Sequence, residues 1–302
     1  MTTRVLNCVI AYNRFHYLKN SINSLNQYFK IGDLLVVDDG SEEPELQKYL
    51  EELETGNTFV IRQKHEEHTQ WLYGGLYSAM NKGIEFALER EYDFINFVQD
   101  DTQFVWYDPH FMEKVLGTFE QYPDAIQVSY HFFKKIMITW VTRRIEYYAE
   151  ANCYHFKPYT ISDLGIVPLS LIKKHGFRIN GSENERNGVL HPQGFKRYSL
   201  HSPILAWIPW PTTFRKRASF GQVLPPPRKY YLKPLSSDQI NKLTLRPLNV
   251  MPCHEDYCLP WGWRCLYPYW FTKPNWKEYI TLLWFSARDK SFLFPHYVMA
   301  KK

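Results

Sequence analysis

Strand-like and helix-like stretches alternate four times between residues 4 and 105, and this alternation constrains the fold more than any other feature of the chain. Residues 4–11 (Arg-Val-Leu-Asn-Cys-Val-Ile-Ala) are short, apolar and rich in branched side chains, as a strand buried on both faces must be. Residues 15–29 then set Phe15, Leu18, Ile22, Leu25 and Phe29 at helical spacing. A second buried strand is expected over 33–37, a third over 58–62 and a fourth over 93–98. Ser41 reads as the N-cap of a helix whose first turn holds Glu42, Glu43 and Glu45. Gly74-Gly75 opens another helix, running to about Glu89. Strands and helices in this order predict an α/β fold with a mostly parallel sheet, covered by helices on both faces and joined by right-handed crossovers.

A polar cluster follows three of these strands: Tyr12-Asn13-Arg14, Asp38-Asp39 and Gln99-Asp100-Asp101. In open α/β sheets ligands bind beyond the carboxyl ends of the strands, so the three clusters are expected in one crevice. Asp39 can accept hydrogen bonds from a base or ribose there, or can belong to a plain Asp-Gly-Ser capping turn. Asp100 and Asp101 repel each other unless a cation offsets them. Mg²⁺ and Mn²⁺ favour such oxygen ligands and complete their shell with substrate phosphates. The competing reading is two solvated loop acids.

Several classes are excluded. The chain has 302 residues, 45% of them hydrophobic and 22% charged, so wholesale disorder is out. A net charge of +5 is too small for the usual footprint of a nucleic-acid binder. Neither Gly-x-x-x-x-Gly-Lys-Ser/Thr nor a Gly-x-Gly-x-x-Gly after the first strand is present, which disfavours P-loop ATPases and dinucleotide oxidoreductases. The longest uncharged run, Tyr198 to Phe214, contains three prolines and a histidine, and no stretch offers a spanning helix. The N-terminus carries no signal-peptide pattern, so a soluble cytoplasmic protein is expected. Five cysteines at 8, 153, 253, 258 and 265 do not suggest a disulfide framework.

Four motifs in order, Val9-Ile10-Ala11-Tyr12-Asn13-Arg14, Val36-Val37-Asp38-Asp39-Gly40-Ser41, Ser78 to Ile84 and Phe97-Val98-Gln99-Asp100-Asp101-Thr102, resemble the GT-A glycosyltransferases of family 2. The resemblance is good over residues 4–105, weaker to about 215, and absent over 228–302. It implies a GT-A fold, a nucleotide-diphosphate-sugar donor, and a Mn²⁺ or Mg²⁺ cofactor. It places Ala11, Tyr12, Asn13, Arg14, Asp39, Asn81, Gln99 and Asp100 at the donor, with Asp101 as the direct metal ligand. Gln99 stands where many members have the first aspartate of Asp-x-Asp. An inverting transfer needs a general base. The family's acidic pair follows a short helix and a glycine, which here are Leu169 to His175 and Gly176. That implies Glu183 or Glu185 as the base, with a charged surface loop as the alternative. Asp163 ends an expected strand (161–167) near the same crevice, either orienting the acceptor or simply terminating the strand.

The last third changes character. Seven of ten tryptophans and thirteen of nineteen prolines lie after residue 200. Further strands are expected at 125–133, 136–142 and 204–208, then a stiff linker at Pro225-Pro226-Pro227. The expected division is a catalytic, donor-binding domain over 1–220 and an aromatic-rich extension over 221–302 serving acceptor, oligomer or membrane-surface contacts. Cys253, His254, Cys258 and Cys265 do not have the spacing of a structural zinc site. His254 is instead a candidate late ligand to the catalytic metal, since some GT-A enzymes use a C-terminal histidine so; a polar surface turn is the alternative. The tryptophans from Trp207 to Trp284 suit sugar stacking, core packing, or, beside Lys273, Lys277, Arg288 and Lys290, attachment to an anionic membrane surface.

The expected function is a metal-dependent inverting glycosyltransferase acting on a saccharide or lipid-linked acceptor. One rival is a sugar nucleotidyltransferase, which should carry a glycine-rich basic loop where this chain has Ala11-Tyr12-Asn13-Arg14. The other is a non-catalytic carbohydrate- or membrane-binding protein on a decayed transferase scaffold. Slow donor hydrolysis with metal separates an enzyme from a binder.

Overall fold

The computed structural model describes residues 3–56, 58–63, 75–133, 145–157, 160–176, 179, 189–208, 230–258 and 297–299. Its first half is β1 (Val5–Ala11), α1 (Phe15–Tyr28), β2 (Asp33–Asp38), α2 (Pro44–Thr55), β3 (Phe59–Arg62), α3 (Leu76–Glu89) and β4 (Phe94–Gln99). These four strands lie parallel in the order β3-β2-β1-β4. The strand period of two sorts their side chains into two layers. Val9, Ala11, Val36 and Val98 pack with Leu18, Ile22 and Leu25 of α1 and Leu46 and Leu50 of α2. Leu6, Cys8, Ile10, Val37, Ile95 and Phe97 face Ala79, Met80, Ile84 and Ala87 of α3. Gly83 lets α3 approach closely, because a Cβ there would stand 2.5 Å from the Cys8 Sγ.

The second half runs β5 (Thr102–Phe104), α4 (Phe111–Gln121), β6 (Ala125–Ser129), β7 (Ile145–Tyr148), β8 (Cys153–Phe156), β9 (Gly165–Pro168), α5 (Leu169–His175), β10 (Lys196–Leu200), β11 (Leu205–Trp207), β12 (Tyr230–Leu232), α6 (Ser237–Thr244) and β13 (Tyr297–Met299). The large sheet has the order β3-β2-β1-β4-β9-β6-β10-β8-β7, with β9 antiparallel to both β4 and β6. Gly165 enters β9 at φ +125°, and a Cβ there would come within 2.7 Å of the Val128 carbonyl. β5 pairs with β11 and β12 with β13 in two separate ribbons.

Some boundaries differ from the sequence pattern. The strand expected over 125–133 stops at Ser129, after which the chain crosses to Leu205 and Cys253 by single bridges at His131 and Phe133. The strand expected over 161–167 occupies Gly165–Pro168. Ser41 does not cap α2, which begins at Pro44; its hydroxyl is engaged by Asp38 instead. Helix α6 was not signalled by periodicity, although Ser236 and Gln239 form a full capping box, a pattern readable from sequence. The strand expected at 136–142 and the Pro225-Pro226-Pro227 linker lie outside the described residues, as does the boundary at 220/221.

Residues 230–258 pack onto the sheet. Leu232, Leu235, Leu243, Tyr257 and Cys258 share one core cluster with α1 and α2. Gln103 acts as a backbone surrogate: its amide donates to the Leu232 carbonyl (2.7 Å) and accepts from the Leu232 N–H (3.0 Å). The Leu235 N–H donates to the Val105 carbonyl at 2.8 Å. The buried Arg246 donates to the carbonyls of Leu243, Val250 and His201 and to the Tyr154 hydroxyl, so its donors are satisfied without a carboxylate in that set.

Candidate active site

The loops after β1 and β2 are locked by reciprocal capping. Asn13 adopts φ +48° and turns its side-chain oxygen onto the N–H groups of Glu42 (2.7 Å) and Glu43 (3.2 Å) at the head of α2. Glu43 in turn accepts from the Phe15 N–H (2.9 Å) at the head of α1. Each helix thus borrows its cap from the other loop, at about 1 kcal/mol per cap. Ser41 ties the pair together by accepting from the Asn13 N–H (2.9 Å) while donating to Asp38. Asn13 therefore serves to hold the loop that carries Tyr12 and Arg14.

Asp39 follows β2 and is buried. Its carboxylate accepts from the Gly75 N–H at the head of α3 (2.8 Å) and from the Gln63 amide (3.3 Å). Gln63 follows β3 and also accepts from Ser78 (3.1 Å). A Cβ on Gly75 would fall 1.7 Å from the Asp39 Oδ1, so glycine is required by this contact. Neither Gln63 nor the Gly75 contact was singled out from sequence. Gln63 was findable, because it ends a parallel strand at the same sheet edge.

Asp100 and Asp101 follow β4, beside β1. Arg14 closes on them from the β1 loop. Its Nε donates to Asp100 Oδ2 (2.9 Å), its Nη2 to Asp100 Oδ1, and its Nη1 to Asp101 Oδ2 (3.0 Å). The Tyr12 N–H points to Asp100 Oδ2 at 3.5 Å, and Ala11 accepts from the Asp39 N–H at 2.9 Å. Burial opposes the charge on Arg14, but the two carboxylates outweigh it and hold the guanidinium pKa above its ordinary value. Asp100 is 2% exposed. Asp101 is partly exposed, yet its Oδ1 is buried and has no hydrogen-bond partner.

That orphaned oxygen is the test of whether the acid pair fits a divalent cation. A buried carboxylate oxygen without a donor suits a hard cation whose other ligands are substrate phosphate and water. Among the described residues no group of three or more His, Cys, Asp or Glu side chains is placed to hold a metal alone. A cation held through Asp101 would therefore need its other ligands from outside the described His, Cys, Asp and Glu side chains.

Gln99 donates to the carboxylate of Asp163. The register explains the contact: Phe97 pairs with Gly165 across β4 and β9, which sets residue 99 opposite residue 163. Asp163 thus stands beside the acid pair. Asn81 uses both ends of its amide on the backbone of Ile179 (2.9 Å each), tying α3 to the segment after α5. His254 is fully buried in a short helical turn, its N–H donating to the Phe133 carbonyl at 2.7 Å. It is not at a surface turn, because Phe133 and Cys253 bridge there and Tyr154 and Met251 enclose them. Glu183, Glu185, Cys265 and the tryptophans from Trp210 to Trp284 lie outside the described residues, as do Lys273, Lys277, Arg288 and Lys290. Cys8, Cys153, Cys253 and Cys258 are all buried, and burial pushes the thiols of Cys8 and Cys153 up to about 12. Among the described residues no helix is long and apolar enough to cross a membrane.

A parallel β3-β2-β1-β4 half-sheet with carboxylates at the ends of β2 and β4, extended through an antiparallel β9, is the GT-A form of nucleotide-binding α/β fold. The chain belongs to glycosyl transferase family 2, whose model matches residues 8–174, over half of its length. Among solved structures it is similar to S. aureus TarS 1–349 (16% identity, TM-score 0.45, 68% of this chain and 60% of that one). It is similar too to the same TarS fragment in complex with UDP-GlcNAc (16%, 0.46, 68% and 58%). A third likeness is the mannosyltransferase PcManGT from Pyrobaculum calidifontis, in complex with GDP-Man and Mn²⁺ (14%, 0.45, 68% and 56%). The chain thus spans 56–60% of the length of these chains. No curated protein matches the sequence.

Proposed function

We propose that this protein transfers a sugar, with inversion, from a nucleoside-diphosphate-sugar to an acceptor hydroxyl on a saccharide or lipid-linked saccharide, with Mn²⁺ or Mg²⁺. The observation that carries the reading is the meeting of Asp39, Asp100, Asp101 and Asp163 at one sheet edge, with a buried oxygen of Asp101 unpartnered. Asp39 accepts a hydrogen bond from the ribose or base, and Tyr12 lies along the base. Asp101, whose Oδ1 is buried and unpartnered, would hold the cation. When bound, that cation offsets the charge developing on the leaving diphosphate. Asp163, oriented by Gln99, receives the acceptor side of the sugar. Glu183 or Glu185 takes the acceptor proton. A cytoplasmic site of action, peripheral to a membrane when the acceptor is lipid-linked, follows from the same reading.

The test is a thermal-shift panel of nucleoside diphosphates with and without Mn²⁺, followed by donor turnover. A ligand that binds only the folded state raises the melting temperature by mass action. The expected result is a shift larger with Mn²⁺ than with EDTA, and slow metal-dependent donor hydrolysis. Binding without any hydrolysis or transfer would favour the non-catalytic rival. Glu183→Gln and Glu185→Gln should be made separately; loss of the base lowers kcat by roughly 10²–10⁴ with donor affinity kept. If both retain full kcat, Asp163 is the next carboxylate to replace.

A further inference from the structure

Arg14 does more than line the donor crevice. Arg14 is 9% exposed and its guanidinium spans both acids, with both oxygens of Asp100 and Oδ2 of Asp101 accepting from it. Three donors of one planar fork are thereby committed to two adjacent side chains, which fixes the carboxylate planes as well as their charge. One positive charge faces two negative ones, so the trio keeps a single net negative charge. Asp101 Oδ1 is left buried and unpartnered. Without Arg14, two adjacent carboxylates would offer a bare dication two negative charges and several oxygens. With it, the acid pair offers a bare dication one unpartnered oxygen and one net charge.

We propose that Arg14 is the positioning residue of the acid pair and makes cation binding conditional on the nucleotide: it holds Asp100 out of the cation's shell and leaves only Asp101 Oδ1, so that the diphosphate must supply the remaining ligands and charge. Such conditional binding is a coupling free energy between cation and nucleotide, and each must raise the other's affinity by the same factor. It rests on the metal reading of Asp101 given above.

The experiment measures Mn²⁺ binding directly, by loss of the free-ion electron paramagnetic resonance signal, with and without UDP or GDP. The wild type should bind Mn²⁺ weakly alone and much more tightly with one of the two nucleotides. Arg14→Gln should bind bare Mn²⁺ about tenfold or more tightly than the wild type, because a unit positive charge next to the site is gone. Its gain from nucleotide should shrink correspondingly. Arg14→Lys keeps the charge but loses the fork. It should bind bare Mn²⁺ only about threefold more tightly, and it serves as the test if Arg14→Gln does not fold. A residue that merely braced the fold could only weaken the site, so a rise in bare-ion affinity separates the two roles. If bare Mn²⁺ affinity is unchanged or falls in the folded variants while the wild type forms the ternary complex, the role of Arg14 is wrong and the metal reading stands. If the wild type takes up no Mn²⁺ even with either nucleotide, both are wrong.

Discussion

Gly75→Ala tests the Asp39 pocket through stability alone, without knowing the donor. Gly75 has φ −82° and ψ 5°, angles open to alanine, so the backbone itself tolerates the change. The obstacle is the Asp39 carboxylate, whose Oδ1 would lie 1.7 Å from the new methyl. Any Cβ closer than about 3 Å forces movement, so Asp39 must leave its place and give up the Gly75 N–H at 2.8 Å. A hydrogen bond to a charged group contributes about 1.5–3 kcal/mol, while alanine returns about 0.4–1 kcal/mol by restricting the unfolded chain. The expected net loss is about 1–2 kcal/mol, read as a lower urea midpoint at unchanged slope. In an Asp39→Ala background the blocking atoms are gone, and Gly75→Ala should become neutral or stabilising. The two substitutions should therefore couple by about 1.5–3 kcal/mol in a double-mutant cycle. An equal cost of Gly75→Ala in both backgrounds, or a stabilised single mutant, would refute the packing argument.

Three further outcomes are expected. Asp101→Asn should leave the fold intact and make nucleoside diphosphate affinity equal in Mn²⁺ and EDTA by calorimetry; a persisting metal effect would move the ligand elsewhere. His201 is buried and lies beside Arg246, which together hold its pKa down to about 4 from 6.5. The folded state thus keeps it neutral while the unfolded state protonates, so stability is complete above pH 6.5 and lost as the pH falls towards 4, by about 3 kcal/mol; His201→Gln should flatten the unfolding free energy between those values, and an unchanged slope would reject the assignment. Gln103→Leu removes both partners of the Leu232 backbone and should cost about 2–4 kcal/mol, with the Leu232 amide losing its hydrogen-exchange protection; retained protection would mean the clamp is not what holds β12.

Much of the first hundred residues is legible in the sequence because it is written locally. A strand buried on both faces must be apolar throughout, and Val5–Ala11 is buried at all seven positions. The turn residues that end β1, β2 and β4 follow directly in the chain, so parallel pairing alone brings Tyr12, Asp39 and Asp101 to one edge. The Ser236–Gln239 capping box was equally local, though masked by a region without apolar period. The antiparallel β9 was not legible in its place, because the choice between neighbours in a sheet depends on register rather than on composition.

What the sequence determined by itself is the parallel half-sheet, the acidic residues at its carboxyl edge and the family to which they belong, since each depends on side chains a few positions apart. Only the tertiary structure decided how those acids are used. Arg14 reaches Asp100 across 86 positions, Gln99 meets Asp163 across 64, and Gly75 lies under Asp39 across 36. Contacts at such separations leave no periodicity in the chain. They arise because β1, β2 and β4 must hydrogen-bond side by side before their loops can meet, and that pairing, rather than any local preference, sets one guanidinium between two carboxylates.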